Sequence, residues 1–208
     1  MSHKIELLGK IPNKIGIAVS GGPDSMAALD FCRQGKKNVT VYHFNHGTEH
    51  GEEAEVFVRK YCYEKEIPLI IGHIKCFRDR EACESPEEYW RNARYNFLDQ
   101  YSEVPIVMCQ QLDDQVENWI FTSLRGNPKL IPYSRAHYIR PFLLTRKSTL
   151  INWCERKGVP YLIDPGNFSD DYARSLIRNK IVPEAIRVNP GLHTVIKKKV
   201  IQEYKISY

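Results

Sequence analysis

The chain has 208 residues, 42% hydrophobic and 26% charged, with a net charge of +5; this is an ordinary globular composition that supports a buried core and one domain, or one with an appendage. The basic excess is compatible with a nucleic-acid partner without demanding one. Cys32, Cys62, Cys76, Cys83, Cys109 and Cys154 contain no Cys-x-x-Cys pair, the first ten residues hold no signal-like apolar stretch, and no apolar run nears a membrane span, so zinc knuckles, paired redox sites, secretion and membrane insertion are all disfavoured and a cytoplasmic protein with reduced thiols is expected.

Lys14 to Ser20 is a β-branched run ending in Gly-Gly and reads as a buried strand. A helix follows from Asp24 to Gln34, with Met26, Leu29 and Phe31 for packing. Val39–Phe44 is a second strand. Glu52–Glu66 is helical, with Val56, Cys62 and Tyr63 near one face, and Leu69–His73 is a third strand. Ser85-Pro86 opens a helix to about Tyr101, with Ser as cap and Pro at the first helical position.

Val104–Met108 is a fourth strand, and Asp113–Leu124 a helix with Val116, Ile120 and Leu124 on one stripe. Gly126–Ala136 reads as a loop and Tyr138–Phe142 as a fifth strand. Thr145 is placed to cap a helix ending at Gly158, Tyr172–Val182 is helical until Pro183, and a last helix begins near Asn189-Pro190. Trp90, Trp119 and Trp153 fall on helices and are expected in the core. Strand–helix alternation predicts an α/β fold: a Rossmann-like parallel sheet of about five strands with helices on both faces.

The first strand–helix turn is Ser20-Gly21-Gly22-Pro23-Asp24-Ser25. A glycine turn before a helix presents backbone N–H groups to an anion, and Ser20 and Ser25 add hydroxyls. Asp24 would repel phosphate unless it holds a divalent metal such as Mg²⁺. No Gly-Lys-Ser/Thr follows, so a γ-phosphate lysine is missing from the loop and cleavage of ATP between the α- and β-phosphates is favoured.

Asp113, Asp114 and Glu117 gather on the first turn of a helix that follows the fourth strand, at the sheet edge where α/β folds bind ligands. Together they suit a cation, although acids also favour helix N-termini through the dipole. Arg174 and Arg178 share a helix face and suit phosphate or carboxylate; an ion pair with Asp170 or Asp171 is the competing reading. Arg91 and Arg94 read equally as contacts to nucleic acid or nucleotide and as a solvated face. Lys197, Lys198 and Lys199, preceded by Arg187 and His193, read equally as phosphate contacts and as a solvated face. His43, His46 and His50 lie on a strand and its loop and are not expected to converge on zinc.

SGGPDS is similar to the loop of the N-type ATP pyrophosphatases. Within that PP-loop superfamily the chain resembles the tRNA(Ile)-lysidine synthetases through GIAVSGGPDSMAAL, FNHGT, ARYNFL, LDDQVEN, SLRG, IRPFL and DPGNFSDDYARSLIRNKIVP, in that order. The resemblance implies an adenine nucleotide alpha hydrolase-like fold and an ATP- and Mg²⁺-dependent ligase. Such an enzyme adenylates the wobble cytidine of tRNA(Ile) with a CAU anticodon, then joins L-lysine through a new C–N bond.

By the same resemblance Asp114 and Glu117 hold the lysine amine, with Asp113 beside them. Asn45 and His46 lie near adenine and ribose, and an arginine of the pair Arg174 and Arg178 contacts phosphate or substrate carboxylate. The sequence departs from the pattern at Gln110 and Gln111, where two histidines are usual, at Asn118, where threonine is usual, and in a shortened loop over Asn127–Tyr133. Glutamine carries neither charge nor proton, so another PP-loop enzyme, such as a tRNA thiolase, and a catalytically impaired homologue stay open. Residues 1–187 read as the catalytic domain and 188–208 as a basic helix. A dimer or helper is one way to grip tRNA without the C-terminal domains common in the family.

Overall fold

The computed structural model describes residues 4–74, 86–164 and 173–207. Cys76, Cys83, the Ser85 cap, Asp170 and Asp171 lie outside them. The elements in order are β1 (Lys14–Ala18), α1 (Pro23–Gln34), β2 (Asn38–Asn45), α2 (Glu49–Glu64), β3 (Leu69–His73), α3 (Pro86–Leu98) and β4 (Ile106–Val107). They continue with α4 (Leu112–Leu124), β5 (Ser134–Arg135), β6 (Tyr138–Ile139), α5 (Lys147–Lys157), α6 (Ala173–Leu176), a π-helical turn Ile177–Ile181, α7 (Val182–Val188) and α8 (Leu192–Ser207).

The sheet has six strands in the order β3-β2-β1-β4-β6-β5. All neighbours are parallel except β5 with β6. The extra strand is a dipeptide inside the segment expected as a loop, too short for a periodicity signal. Side chains of β2 alternate between faces, as pleating requires: Val39 and Val41 join the core under α1, α2 and α5, while Tyr42 packs with Phe97 of α3 and Ile106 on the other face. A third apolar cluster joins α4 to α8 through Val116, Ile120, Leu192, Ile196 and Val200, so α8 is packed into the fold.

Several local expectations need correction. Val56 and Tyr63 are 68% and 86% exposed. The buried stripe of α2 is Ala54, Val58, Tyr61 and Cys62, and Val56 is rotated from Ala54 by about 200° at roughly 100° per residue. Leu124 ends α4 and is also exposed. Thr145 does not cap α5; its hydroxyl donates to the Glu6 carbonyl and accepts from the Glu6 N–H.

Pro183 does not stop its helix. It sits in the first turn of α7, where a missing N–H costs nothing, and the π-helical turn carries the chain into it. The three tryptophans are only partly buried, and of them Trp119 and Trp153 pack at the margins of the apolar clusters. Among the described residues no helix is long and apolar enough to cross a membrane.

Candidate active site

Connections from β1 lead through α1 to β2 on one side, while β4 flanks β1 on the other. The chain therefore diverges beyond the carboxyl ends of β1 and β4, and an open α/β sheet has its ligand crevice at such a point. A cleft of ≈ 500 Å³ opens there. Ser20, Gly22, Asp24 and Ser25 line one side, and His46, Arg94, Gln110, Asp114, Lys147 and Arg178 converge from other elements.

The phosphate-type loop is held by its own hydroxyls. Ser25 Oγ donates to the Gly22 carbonyl at 2.9 Å and accepts from the Ser20 N–H at 3.2 Å. Gly21 has φ +89°, a backbone that only glycine takes without strain. Its carbonyl accepts from the Leu162 N–H at 2.9 Å, which pins the segment after α5 over the loop. Pro23 opens α1 behind Gly22, which offers no side-chain cap. The first-turn N–H groups thus lack intrahelical acceptors and suit an anion.

Asp24 Oδ1 is buried without a hydrogen-bond partner. Burial pushes its pKa up to about 6, partly opposed by the positive charge of Lys147. A carboxylate with one buried, unpartnered oxygen beside an anion cradle fits a Mg²⁺ ion, which characteristically takes one or two protein carboxylates and completes its shell with phosphate and water. Among the described residues no group of three histidine, cysteine or acidic side chains forms a metal cage. His43, His46 and His50 all line this cleft, and burial lowers the pKa of His43 and His46, that of His46 to about 4.

The acidic helix start divides its labour. Asp114 faces the cleft while also accepting the Gln111 N–H at 2.9 Å, and burial, then the neighbouring Glu117 charge, raises its pKa to about 7. Glu117 is 8% exposed and receives a bidentate pair from Arg178, Nε to Oε1 at 2.7 Å and Nη2 to Oε2 at 2.8 Å. Arg178 lies 3.9 Å from Asp114 as well. The carboxylates expected to hold an amine thus already hold a guanidinium, the geometry a cationic nitrogen selects.

Asp113 departs from its expected place in the amine site. Its carboxylate accepts the Lys147 N–H at 2.9 Å, starting α5, and faces His193 Nε2 at 3.1 Å. Burial alone raises its pKa, but these hydrogen bonds outweigh it and hold the carboxyl below its ordinary range. His193 is correspondingly buried in α8 and is not part of an exposed basic run.

Other expected site residues separate in the same way. Asn45 is buried in the β2 turn, where it accepts from the Gly47 N–H and donates to Glu55; it does not line the cleft. Arg94 is in the cleft wall, whereas Arg91 is exposed beside the Tyr95 ring. Arg174 stacks on Phe121, 5.1 Å from its centroid, outside the cleft. Lys197 is paired with Glu6 at 2.6 Å, while Lys198 and Lys199 are exposed.

Gln111 is 1% exposed and caps α4, its carbonyl oxygen accepting the Asp113 N–H, so this glutamine has a structural task. Gln110 lines the cleft, with Oε1 buried and unpartnered. Sequence reasoning missed Lys147. It opens α5, far from the loop in the chain, yet supplies the cleft with the lysine that SGGPDS lacks. The only local signal was its position at the start of a helix predicted to follow the fifth strand.

Residues 2–185 match the PP-loop domain. The chain belongs to the PP-loop family. It is 32% identical over 212 residues to the tRNA(Ile)-lysidine synthase of Geobacillus kaustophilus, covering 92% of this chain and 45% of that protein. It is 30% identical over 204 residues to the Bifunctional protein TilS/HprT of Listeria innocua, covering 89% of this chain and 32% of that protein. The chain therefore spans between about a third and a half of the length of these curated relatives. The fold is similar to that of NH3-dependent NAD synthetase from Campylobacter jejuni, with a TM-score of 0.55 at 14% identity, over 92% of this chain and 84% of that one.

Proposed function

We propose that this PP-loop domain catalyses ATP-dependent modification of RNA: the 2-oxo oxygen of the tRNA(Ile) wobble cytidine attacks the ATP α-phosphate and expels pyrophosphate, and the ε-amine of L-lysine then forms a C–N bond to the adenylated base and displaces AMP. The observation carrying this reading is one cleft that joins an anion cradle, Ser20–Ser25, to the half-buried Asp114 carboxyl, with Glu117 beside it. A cradle alone suits any nucleotide. Two adjoining carboxylates, one of which accepts a guanidinium while the other lies 3.9 Å from it, suit an amine co-substrate. The names of the relatives point the same way.

Bound Mg²⁺ would neutralise charge on the leaving pyrophosphate. The loop N–H groups and the hydroxyls of Ser20 and Ser25 bind the phosphates, and Lys147 adds positive charge from the opposite wall. Asp114 and Glu117 orient the lysine ε-amine, with Arg178 yielding its place or shifting towards the phosphates. Holding both reactants in one cleft supplies proximity. Arg94, in the cleft wall, is placed to meet the nucleotide or the target base.

AMP release tests the reading, measured with unmodified tRNA(Ile) transcript, ATP, Mg²⁺ and labelled lysine. Lysine-dependent label in tRNA with stoichiometric AMP is expected. AMP release without label in tRNA would instead assign the domain to another adenylating PP-loop activity. No AMP under any of these conditions would sink both and leave a nucleotide-binding homologue. Gln110, neutral where a histidine is usual, gives that last outcome its specific basis.

A further inference from the structure

Outside the cleft, two guanidinium groups converge on one aromatic ring. Arg125 Cζ lies 4.1 Å and Arg174 Cζ 5.1 Å from the centroid of Phe121. Both arginines are exposed, and among the described residues neither is paired with a carboxylate. Arg178, one turn along from Arg174, is by contrast neutralised by Glu117. Two like charges drawn to one ring, without a counter-charge among the described residues, form a surface that an anion would stabilise.

The geometry ties this surface to the cleft. Glu117, Phe121 and Arg125 follow at successive turns along the face of α4, and Arg178 and Arg174 are one turn apart on the facing segment. The pairs Glu117–Arg178 and Phe121–Arg174 are therefore rungs of one ladder. At 1.5 Å per residue the cationic surface lies roughly 6–12 Å from the amine-binding carboxylate. Lys129 is exposed beside it: its N–H donates to Thr122 Oγ1 at 2.8 Å and its carbonyl accepts from Asn118 at 2.8 Å, so the loop is fixed against α4. Leu124 and Leu176, 68% and 44% exposed, add apolar area.

We infer that the Phe121–Arg125–Arg174 surface, with Lys129, holds the single-stranded RNA that flanks the nucleotide modified in the cleft. Cations that track a phosphate backbone, set among aromatic and aliphatic side chains that accept bases, are the combination single strands select. Arginine suits both tasks, since its plane stacks while its N–H fork meets phosphate. The assignment rests on the RNA-modifying reading above and adds where the strand lies. It also gives the catalytic domain a contact surface of its own, independent of the Lys197–Lys199 run.

The test is the salt dependence of binding to unmodified tRNA(Ile) transcript, compared for the parent chain, R125A/R174A and R125K/R174K. Retention of the parent's unfolding transition verifies that both variants are folded. Loss of two single-strand phosphate contacts flattens the slope of log K against log salt by about 1.4 and weakens binding about tenfold near physiological salt. The lysine variant is expected to keep the parent's slope. An unchanged slope in the alanine variant, with parent binding intact, would overturn this surface alone. Absence of salt-dependent tRNA binding by the parent itself would overturn the surface and the RNA-modifying function together.

Discussion

Asp24 offers the sharpest quantitative test, because its burial has a sign opposite to that of most carboxylates in folded proteins. Its pKa rises from an ordinary 3.8 to about 6, with burial the largest cause. Between those values the folded state holds a proton that the unfolded state has released, so stability falls as pH rises through the interval. Integrated, this amounts to about 3 kcal/mol lost by pH 8, an upper figure because the cleft is open to water.

Asp24→Asn removes this titration. Urea unfolding of the metal-free protein, followed between pH 4 and pH 8, is expected to show the parent losing about 2–3 kcal/mol more than the variant, with the variant the more stable at pH 8. Added Mg²⁺ and ATP should stabilise the parent by ligand linkage and the variant much less. Parallel pH profiles, within about 0.5 kcal/mol, would refute the claim that Asp24 is an unsatisfied buried carboxylate awaiting a cation.

Arg178→Ala leaves Glu117 buried without its partner and should cost about 2–3 kcal/mol in chemical denaturation; a Glu117→Gln/Arg178→Met double variant should recover part of it, and additivity of the two single changes would exclude a coupled pair. His193→Ala is expected to cost about 1–3 kcal/mol, the value of a partly buried charge-assisted hydrogen bond, and to loosen α8 in hydrogen exchange; unchanged protection of α8 would remove the Asp113–His193 contact as its anchor. Gln111→His breaks the α4 cap and should destabilise by about 1 kcal/mol without raising AMP release; a clear gain in activity would contradict the structural task assigned to Gln111. Lys198→Ala/Lys199→Ala should flatten the tRNA salt slope only if the exposed tail touches phosphate, and an unchanged slope would remove it from the interface.

The order of strands and helices was legible because buried parallel strands such as KIGIA are continuous apolar runs and their ends carry Gly, Pro or Asn. The SGGPDS loop was legible for the same reason: its chemistry is local, set by a strand end, a glycine at φ +89° and a helix start. Elements of two residues, β4, β5 and β6, were hidden or overextended because they owe their pairing to neighbours and not to their own periodicity.

Side-chain partners lay further out of reach. Asp113, Asp114 and Glu117 form one motif in sequence, but the fold sends them in three directions: to the start of α5 and His193, to the cleft, and to Arg178. The sequence by itself determined the anion cradle and the acidic helix start, since each needs only the conformation of a few consecutive residues. The tertiary structure alone decided that Lys147 joins the cradle, that Arg178 sits on Glu117 and that Arg174 joins Arg125 on Phe121. The Arg178–Glu117 and Arg174–Phe121 contacts join residues more than 50 apart in the chain, and Lys147 lies further still from the loop, so only packing across the sheet edge brings them together.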